Sequence, residues 1–241
     1  MTVTLADVYE SLATGELTHV IMGSELDEDY SKVPKKHFVR LRNAVQLGLT
    51  DLHKRFLLRE ETISLDLSSG LSSYILTKEY AESNIKSSQP IKYIKDAAAP
   101  FESNLVKIAR ISTDLGDPVP LNLLDSDYTV NLVRSDRISI GKDVKANGLI
   151  ITFHADHPQF NKYLADSSPM SVQVEIPTTF IYPLSLFVAS RIINPIGLSE
   201  QFHEGNNYFS KYLSAIAEIQ EQGLDIRQTS SNSRLEEDGW A

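Results

Sequence analysis

Histidine and carboxylate side chains come closest together in the run His154-Ala155-Asp156-His157, at the end of a predicted strand. Imidazole nitrogens and carboxylate oxygens can ligate zinc. In a strand, however, a spacing of three directs the two histidines to opposite faces, so a shared ion would need a turn here. The chain has no cysteine that could complete such a site. We therefore predict no metal-binding residues.

Other motifs that would carry chemistry are incomplete. His203-Glu204 begins like a zinc-protease helix, but Asn207 stands where the second histidine is needed. The chain contains no dinucleotide-binding G-x-G-x-x-G, no complete P-loop and no G-x-S-x-G nucleophile elbow. We predict no catalytic or cofactor-binding residues, no cofactor, and a protein that is not an enzyme. A triad or carboxylate pair assembled in space stays open as an alternative.

Composition and charge exclude further classes. The 241 residues include 41% hydrophobic and 23% charged residues, which is typical of a folded globular protein. Because 32 acidic residues outnumber 23 basic ones, the net charge of −9 disfavours a protein that binds nucleic acid through its overall field. The most apolar stretch, 180–193, is shorter than the roughly 20 residues that span a bilayer. We expect no membrane partner and, without a recognisable secretory signal, an intracellular site of folding.

Helices are predicted at both ends of the chain. The first is short and is followed by a longer one that begins at Pro34 and carries an apolar stripe at helical spacing. This stripe consists of Phe38, Leu41, Val45, Leu49, Leu52 and Phe56. The other face is basic, since residues 34–60 hold seven basic and two acidic side chains. Such a face is either solvated or a strip that binds a partner, and the candidate partner-binding residues on it are Lys35, Lys36, Arg40 and Arg42.

From residue 61 the apolar period changes from 3.6 to 2, which predicts a β-rich region over 61–175. Helical character returns at 176–193 with few polar positions, as expected of a buried helix. A final amphipathic helix is predicted over 199–223, and we expect it to pack on the helix that begins at Pro34. The fold class is α+β. The predicted domains are a helical bundle of 1–60 and 176–223, a β-rich insertion at 61–175 and a flexible C-terminal tail at 224–241.

The tail is polar and aperiodic, yet it carries the only tryptophan of the chain. Trp240 either folds back onto the body or anchors the tail in a partner. The candidate partner-binding residues in this segment are Arg234, Leu235 and Trp240.

Four segments carry a resemblance to a known family. They are the opening helix at 4–9, the long helix at 34–57, the apolar run 176–191 with its final Ala189-Ser190-Arg191, and the aromatic run 204–212. In pattern and order they resemble the head-to-tail adaptor, or connector ring, proteins of short-tailed bacteriophages. The resemblance covers about half of the chain and includes no invariant signature.

The resemblance implies a virion structural protein of the neck, assembled in the host cytoplasm. Its copies would form a homo-oligomeric ring of twelve that docks on the portal protein through the tail and extends the DNA channel. DNA would pass through the lumen without specific binding, and downstream tail or nozzle proteins would dock on the ring. The region 61–175, which is longer and more strand-rich than in compact connectors, would project to the rim.

Two other functions stay open. A tail completion or tail-tube protein would place the β-rich region at the ring contacts instead of the rim. An intracellular hydrolase would have its site in the β-rich region. A hydrolase is expected to bury ionisable side chains with perturbed pKa values in a cleft, whereas an adaptor is expected to expose apolar patches.

Overall fold

The computed structural model describes residues 3–18, 37–68, 70–96, 99–162, 165, 168–193 and 199–223, and it has the predicted α+β class. In chain order the elements are β1 (Val3–Thr4), α1 (Leu5–Thr14), α2 (Phe38–Arg55), β2 (Glu60–Asp66), β3 (Ser73–Ile75), β4 (Ile94–Lys95), β5 (Leu105–Thr113), β6 (Pro118–Val119), β7 (Val130–Arg134), β8 (Arg137–Ile140), β9 (Gly148–Ala155), β10 (Gln173–Val174), α3 (Ile181–Ile193) and α4 (Ser199–Glu221). The chain divides into two compact units. We call residues 1–57 with 160–241 the helical unit and residues 58–159 the β unit.

Helix α1 begins with a reciprocal capping box. The backbone N–H of Thr4 donates to Asp7 Oδ2 at 2.8 Å, and the backbone N–H of Asp7 donates to Thr4 Oγ1 at 3.2 Å. These bonds satisfy two donors that a helix start leaves without partners. They also lower the pKa of the Asp7 carboxyl, because they stabilise its ionised form.

Helix α2 buries five of the six residues of its predicted apolar stripe, from Leu41 to Phe56, whereas Phe38 at its start is half-buried. At Gly48 it lies directly against α3. A Cβ atom added there would lie 2.6 Å from Leu184 Cδ1 and 2.9 Å from Phe187 Cδ1. The missing side chain of Gly48 therefore lets the two helices touch.

Helix α3 is the buried helix that the sequence predicts. It follows a 3-10 turn at Thr178–Phe180, and Pro183 lies in its first turn, where a proline costs no backbone hydrogen bond. Ten of its thirteen residues are buried, so it must be covered on nearly every side. One predicted contact is smaller than expected: in the described residues α4 packs mainly along α3, and it meets α2 through the Tyr212 hydroxyl, which donates to Asp51. The reason is that α3 offers an apolar surface all round, whereas α2 has already turned its stripe to α3.

The boundary of the β unit differs from the predicted boundary at residue 175. Residues 160–175 belong to the helical unit, because β10 pairs antiparallel with β1 and because Gln46 Oε1 of α2 accepts the backbone N–H of Phe160 at 3.0 Å. Strand β10 comprises only Gln173–Val174, and it pairs with the start of the chain. A strand pattern alone does not show which partner it takes.

The β unit contains a five-stranded sheet in the order β4-β2-β9-β5-β6 and a three-stranded sheet in the order β3-β8-β7. All neighbouring strands are antiparallel. Alternate side chains of both sheets meet in one apolar core that includes Ile63, Tyr74, Ile138, Ile151 and Phe153. The period of two places Ile63 of β2 on the same side of the larger sheet as Ile151 and Phe153 of β9.

Two buried polar side chains fasten the irregular parts of the β unit. The Tyr93 hydroxyl donates to Ile75 O at 2.9 Å and accepts from Ile75 N at 2.8 Å, so it satisfies both backbone groups at the edge of β3. Burial raises the pKa of Tyr93 to about 12. The Asp96 carboxylate accepts the backbone N–H groups of Ser83 and Phe101, at 3.0 and 2.8 Å.

Candidate functional site

Five of the seven predicted partner-binding residues lie outside the described residues. They are Lys35, Lys36, Arg234, Leu235 and Trp240. Their role in partner binding stays a prediction.

The other two predicted partner-binding residues bind within the helical unit. Arg42 is only 7% exposed, and its Nη1 donates to Lys162 O at 3.4 Å. Arg40 Nη2 donates to Ile192 O at 2.5 Å, at the carboxyl end of α3. A cation is favourable there because the last carbonyls of a helix have no partners of their own. The prediction that Arg42 lies on the outer basic face is wrong, since it faces the segment that follows the β unit.

The outward face of α2 carries apolar side chains that the sequence analysis did not single out. Leu47 is 59% exposed and Val39 is 50% exposed. Val39, Asn43 and Leu47 follow one another at a spacing of four, so they lie along one side of the helix. The signal was present in the sequence as two aliphatic residues out of phase with the buried stripe.

Two side chains of α2 and one of α4 form a polar cluster. Asp51 Oδ2 accepts from Arg55 Nε at 2.7 Å and from the Tyr212 hydroxyl. Burial raises the pKa of Tyr212, and the neighbouring Asp51 carboxylate raises it further. The hydrogen bond to Asp51 also raises the pKa of Arg55. The cluster therefore keeps a neutral phenol and an ion pair, which is suited to holding α4 near α2 and not to proton transfer near neutral pH.

In the β unit, a tightly bonded loop between β6 and β7 presents two leucines. Leu124 is 88% exposed and follows Leu123, which is 50% exposed. The buried Thr129 hydroxyl donates to Pro120 O and accepts from Leu123 N, both at 3.1 Å. Asn122 Oδ1 accepts the backbone N–H of Leu132 at 2.7 Å.

Positive φ angles in the same loop show that its shape is imposed. Asn122 has φ 54° and Asp125 has φ 59°, both in the left-handed region that L-residues seldom adopt. Such conformations persist only where surrounding bonds hold them. The two leucines are therefore exposed on fixed backbone.

A second turn of the β unit presents Ile85, which is 92% exposed. Asn84 Nδ2 donates to Lys78 O at 3.0 Å, and Ser87 Oγ donates to Glu79 O at 2.6 Å. Lys92 Nζ donates to the carbonyl oxygens of Ala81 and Asn84. This turn is also fastened by side chains while its apolar tip faces solvent.

The histidine pair does not form a shared ligand set. His154 lies within β9, opposite Glu60 of β2 and Lys107 of β5. His157 lies beyond the end of the strand, and its Nδ1 is 2.8 Å from Pro158 O. Burial lowers the pKa of His154, the Glu60 carboxylate raises it and Lys107 lowers it. Within the described part of the chain, no cluster of three or more His, Asp or Glu side chains could hold a metal ion.

A pocket of about 610 Å³ in the β unit is the place to look for a hydrolase site. Its lining includes Glu61, Ser103 and His157. Glu61 Oε1 accepts from Arg59 Nε at 2.7 Å, and Asn104 Nδ2 donates to both Glu61 oxygens at 3.0 and 3.1 Å. Ser103 Oγ accepts the backbone N–H of Lys78 at 2.7 Å. Glu61 and Ser103 therefore hydrogen-bond to neighbouring loop residues. None of these four bonds joins a nucleophile to a general base.

No protein-family model matches the chain. No curated protein matches it significantly. No helix in the described ranges is long and apolar enough to cross a membrane.

Proposed function

We propose that this protein is a non-enzymatic virion structural protein, a head-to-tail adaptor that docks as a homo-oligomeric ring on a portal protein and extends the DNA channel to the tail. Residues 1–57 and 160–223 form its helical bundle, and the β unit is an insertion between α2 and β10. Downstream tail or nozzle proteins dock on the assembled ring. The site of action is the neck of the virion.

The observation that carries the proposal is the exposure of apolar side chains on fixed backbone in both units. Leu47 projects from the middle of an 18-residue helix, and Leu124 projects from a loop that buried hydrogen bonds hold in shape. A free protein gains nothing from such exposure, whereas an assembling protein buries these groups on contact with a partner. Two separate apolar surfaces, one on α2 and one on the loop between β6 and β7, are suited to a protein that joins one partner to another.

The charge distribution also supports a channel part. The net charge of −9 gives a surface that repels phosphates on average, so DNA can move past it without sticking. The basic side chains Arg40 and Arg42 of α2 are occupied by carbonyl oxygens of the same unit. Both guanidinium groups are therefore engaged within their own unit.

Electron microscopy of the purified protein, alone and mixed with portal rings from the same source, tests the proposal. Added density with rotational symmetry on the portal is the expected result, and its symmetry gives the number of copies. The double variant Leu123→Asp with Leu124→Asp should still add this density but should fail to recruit the next tail proteins. The comparison is Ile85→Asp on a different turn, which should recruit the next tail proteins normally, and a loss there would assign their docking site to that turn instead.

The same images separate the alternatives. Ring contacts that run through the β unit would favour a tail completion or tail-tube protein. A compact monomer that never associates with portal rings would contradict the adaptor function and return attention to the pocket beside Glu61.

A further inference from the structure

The outward face of α2 is a binding surface of defined pattern. Leu47 lies at its centre and is 59% exposed. Lys54 follows seven residues later and is also exposed. Seven residues span two helical turns, so the two side chains point the same way and are separated by about 10.5 Å along the axis. We call this face, defined by Val39, Leu47 and Lys54, the α2 face.

The C-terminal segment of the same chain has the complementary pattern. Residues 236–238 are Glu-Glu-Asp, and Trp240 follows after a single glycine. Three residues of extended chain span about 10 Å, so Trp240 placed on Leu47 puts Glu237 at the distance of Lys54. A large aromatic side chain with nearby acids is what an apolar centre with a cation at its rim would bind.

The segment is long enough to reach this face. The Tyr212 hydroxyl of α4 donates to Asp51 of α2, one turn from Leu47. From Tyr212 to Glu221 at the end of α4 the helix extends about 14 Å. The seventeen residues from 224 to Trp240 can span up to about 55 Å, which exceeds the distance required. Attachment to the same chain also gives the segment an effective concentration in the millimolar range.

We propose that residues 234–241 bind the α2 face of their own copy, with Trp240 on Leu47 and the acidic run beside Lys54. The contact closes over the exposed apolar part of α2 in the free protein. It concerns the protein before assembly: the segment covers Leu47 in the free protein, and a partner that docks on the α2 face displaces it.

Tryptophan fluorescence of the full-length protein tests this directly, because Trp240 is the only tryptophan. Its emission should be blue-shifted and slowly quenched by acrylamide. Leu47→Asp should remove the blue shift and speed the quenching. Leu213→Asp, at an exposed leucine of α4, should leave both unchanged. Circular dichroism and melting curves check that both variants stay folded.

Charge reversal gives a second test of the proposed contact. Lys54→Glu should reduce the blue shift, and combining it with Glu237→Lys should restore it. A loss that the double variant does not reverse would overturn the pairing of these two residues.

Three results would overturn the proposal as a whole. They are emission typical of a water-exposed indole in the unaltered protein, a blue shift that survives Leu47→Asp, and a blue shift that disappears on dilution, which would assign the segment to a second copy. The portal mixing assay stays separate. Portal binding by a protein without the blue shift would refute only the present proposal, and a blue shift without portal binding would refute only the adaptor function.

Discussion

The helical unit and the β unit are built from the chain in opposite ways. The helical unit joins residues 1–57 to residues that come more than a hundred positions later, whereas the β unit uses one continuous stretch, 58–159. Close apolar contact dominates the first, as at Gly48 of α2 against Leu184 and Phe187. In the second, an apolar core is supplemented by buried polar clamps such as Tyr93 and Asp96.

This difference indicates which segments each unit needs in order to fold. Closing a long loop costs entropy that only tertiary contacts repay, so the helical unit depends on both of its halves being present. The β unit also pairs strands that are distant in sequence, such as β2 with β9, but both partners lie within the stretch 58–159. We therefore expect the two units to respond separately to changes in their own contacts.

Dividing the chain should have the largest effect. A fragment of residues 58–159 should fold cooperatively, because its core and its clamps lie within the fragment. A fragment of residues 1–57 should stay unfolded, because α2 has lost the α3 surface that covers its stripe. Dispersed NMR spectra and urea unfolding measure this. An unfolded 58–159 fragment would contradict the independence of the β unit.

Gly48→Val should destabilise the helical unit by roughly 3 kcal/mol. The new Cβ would clash with Leu184 and Phe187, and overpacked cores relieve such clashes only by shifting side chains and backbone. Denaturant midpoints followed by helix and strand signals should show the change in the helical unit alone.

The matched control is Asn43→Val, on the outward face of the same helix. It introduces the same side chain without the clash and removes only the long bond from Arg42 Nη2 to Asn43 Oδ1, so its effect should stay at about 1 kcal/mol. Equal losses for Gly48→Val and Asn43→Val would mean that helix propensity and not packing is responsible.

Tyr93→Phe should destabilise the β unit by about 2 kcal/mol. The change leaves the ring packing intact but removes the hydroxyl that both donates to and accepts from the backbone of Ile75. Equilibrium unfolding of the whole protein or of the 58–159 fragment measures the loss. Tyr128→Phe is the control, since that hydroxyl makes only a long, exposed bond to Pro118 O.

Acidification should weaken the β unit through His154, with the smallest effect of the four. Burial lowers the pKa of His154 below its ordinary value of 6.5, so the unfolded chain binds the proton more readily. The stabilising contribution is therefore present above pH 6.5 and is lost as the pH falls through the folded pKa. Urea midpoints between pH 7.5 and 5 measure it.

His154→Gln should flatten that pH profile relative to the unaltered protein, because glutamine does not titrate. The helical unit's own transition should keep its pH dependence in this variant. A profile that stays equally steep would assign the acid sensitivity to other groups.

Periodicity predicted much of each element but few of its partners. The stripe from Leu41 to Phe56 and the capping box of Thr4 and Asp7 could be predicted because helix geometry acts over four residues at most. A strand within 171–175 could also be predicted, but its pairing with β1 could not, since an apolar alternation does not name its neighbour. Strand β6 was missed because its proline belongs to a turn signal in the sequence.

Some of the exposed apolar residues could be predicted from local spacing, and others could not. Leu47 and Val39 could have been identified from the sequence, since both are aliphatic residues out of phase with the stripe of α2. Leu124 and Ile85 could not, because their exposure depends on bonds from Thr129 and from Lys92, which lie outside the turns themselves.

The amino-acid sequence by itself determined the α+β class, the buried nature of α3 and the net charge, because these follow from local spacing and from counting. The tertiary structure alone decided that Arg42 is buried against Lys162 O, that residues 160–175 join the helical unit, and that α4 packs on α3. The physical reason is that the spacing of residues along a helix or strand determines which side chains share a face. The environment of that face depends on which distant segment packs against it.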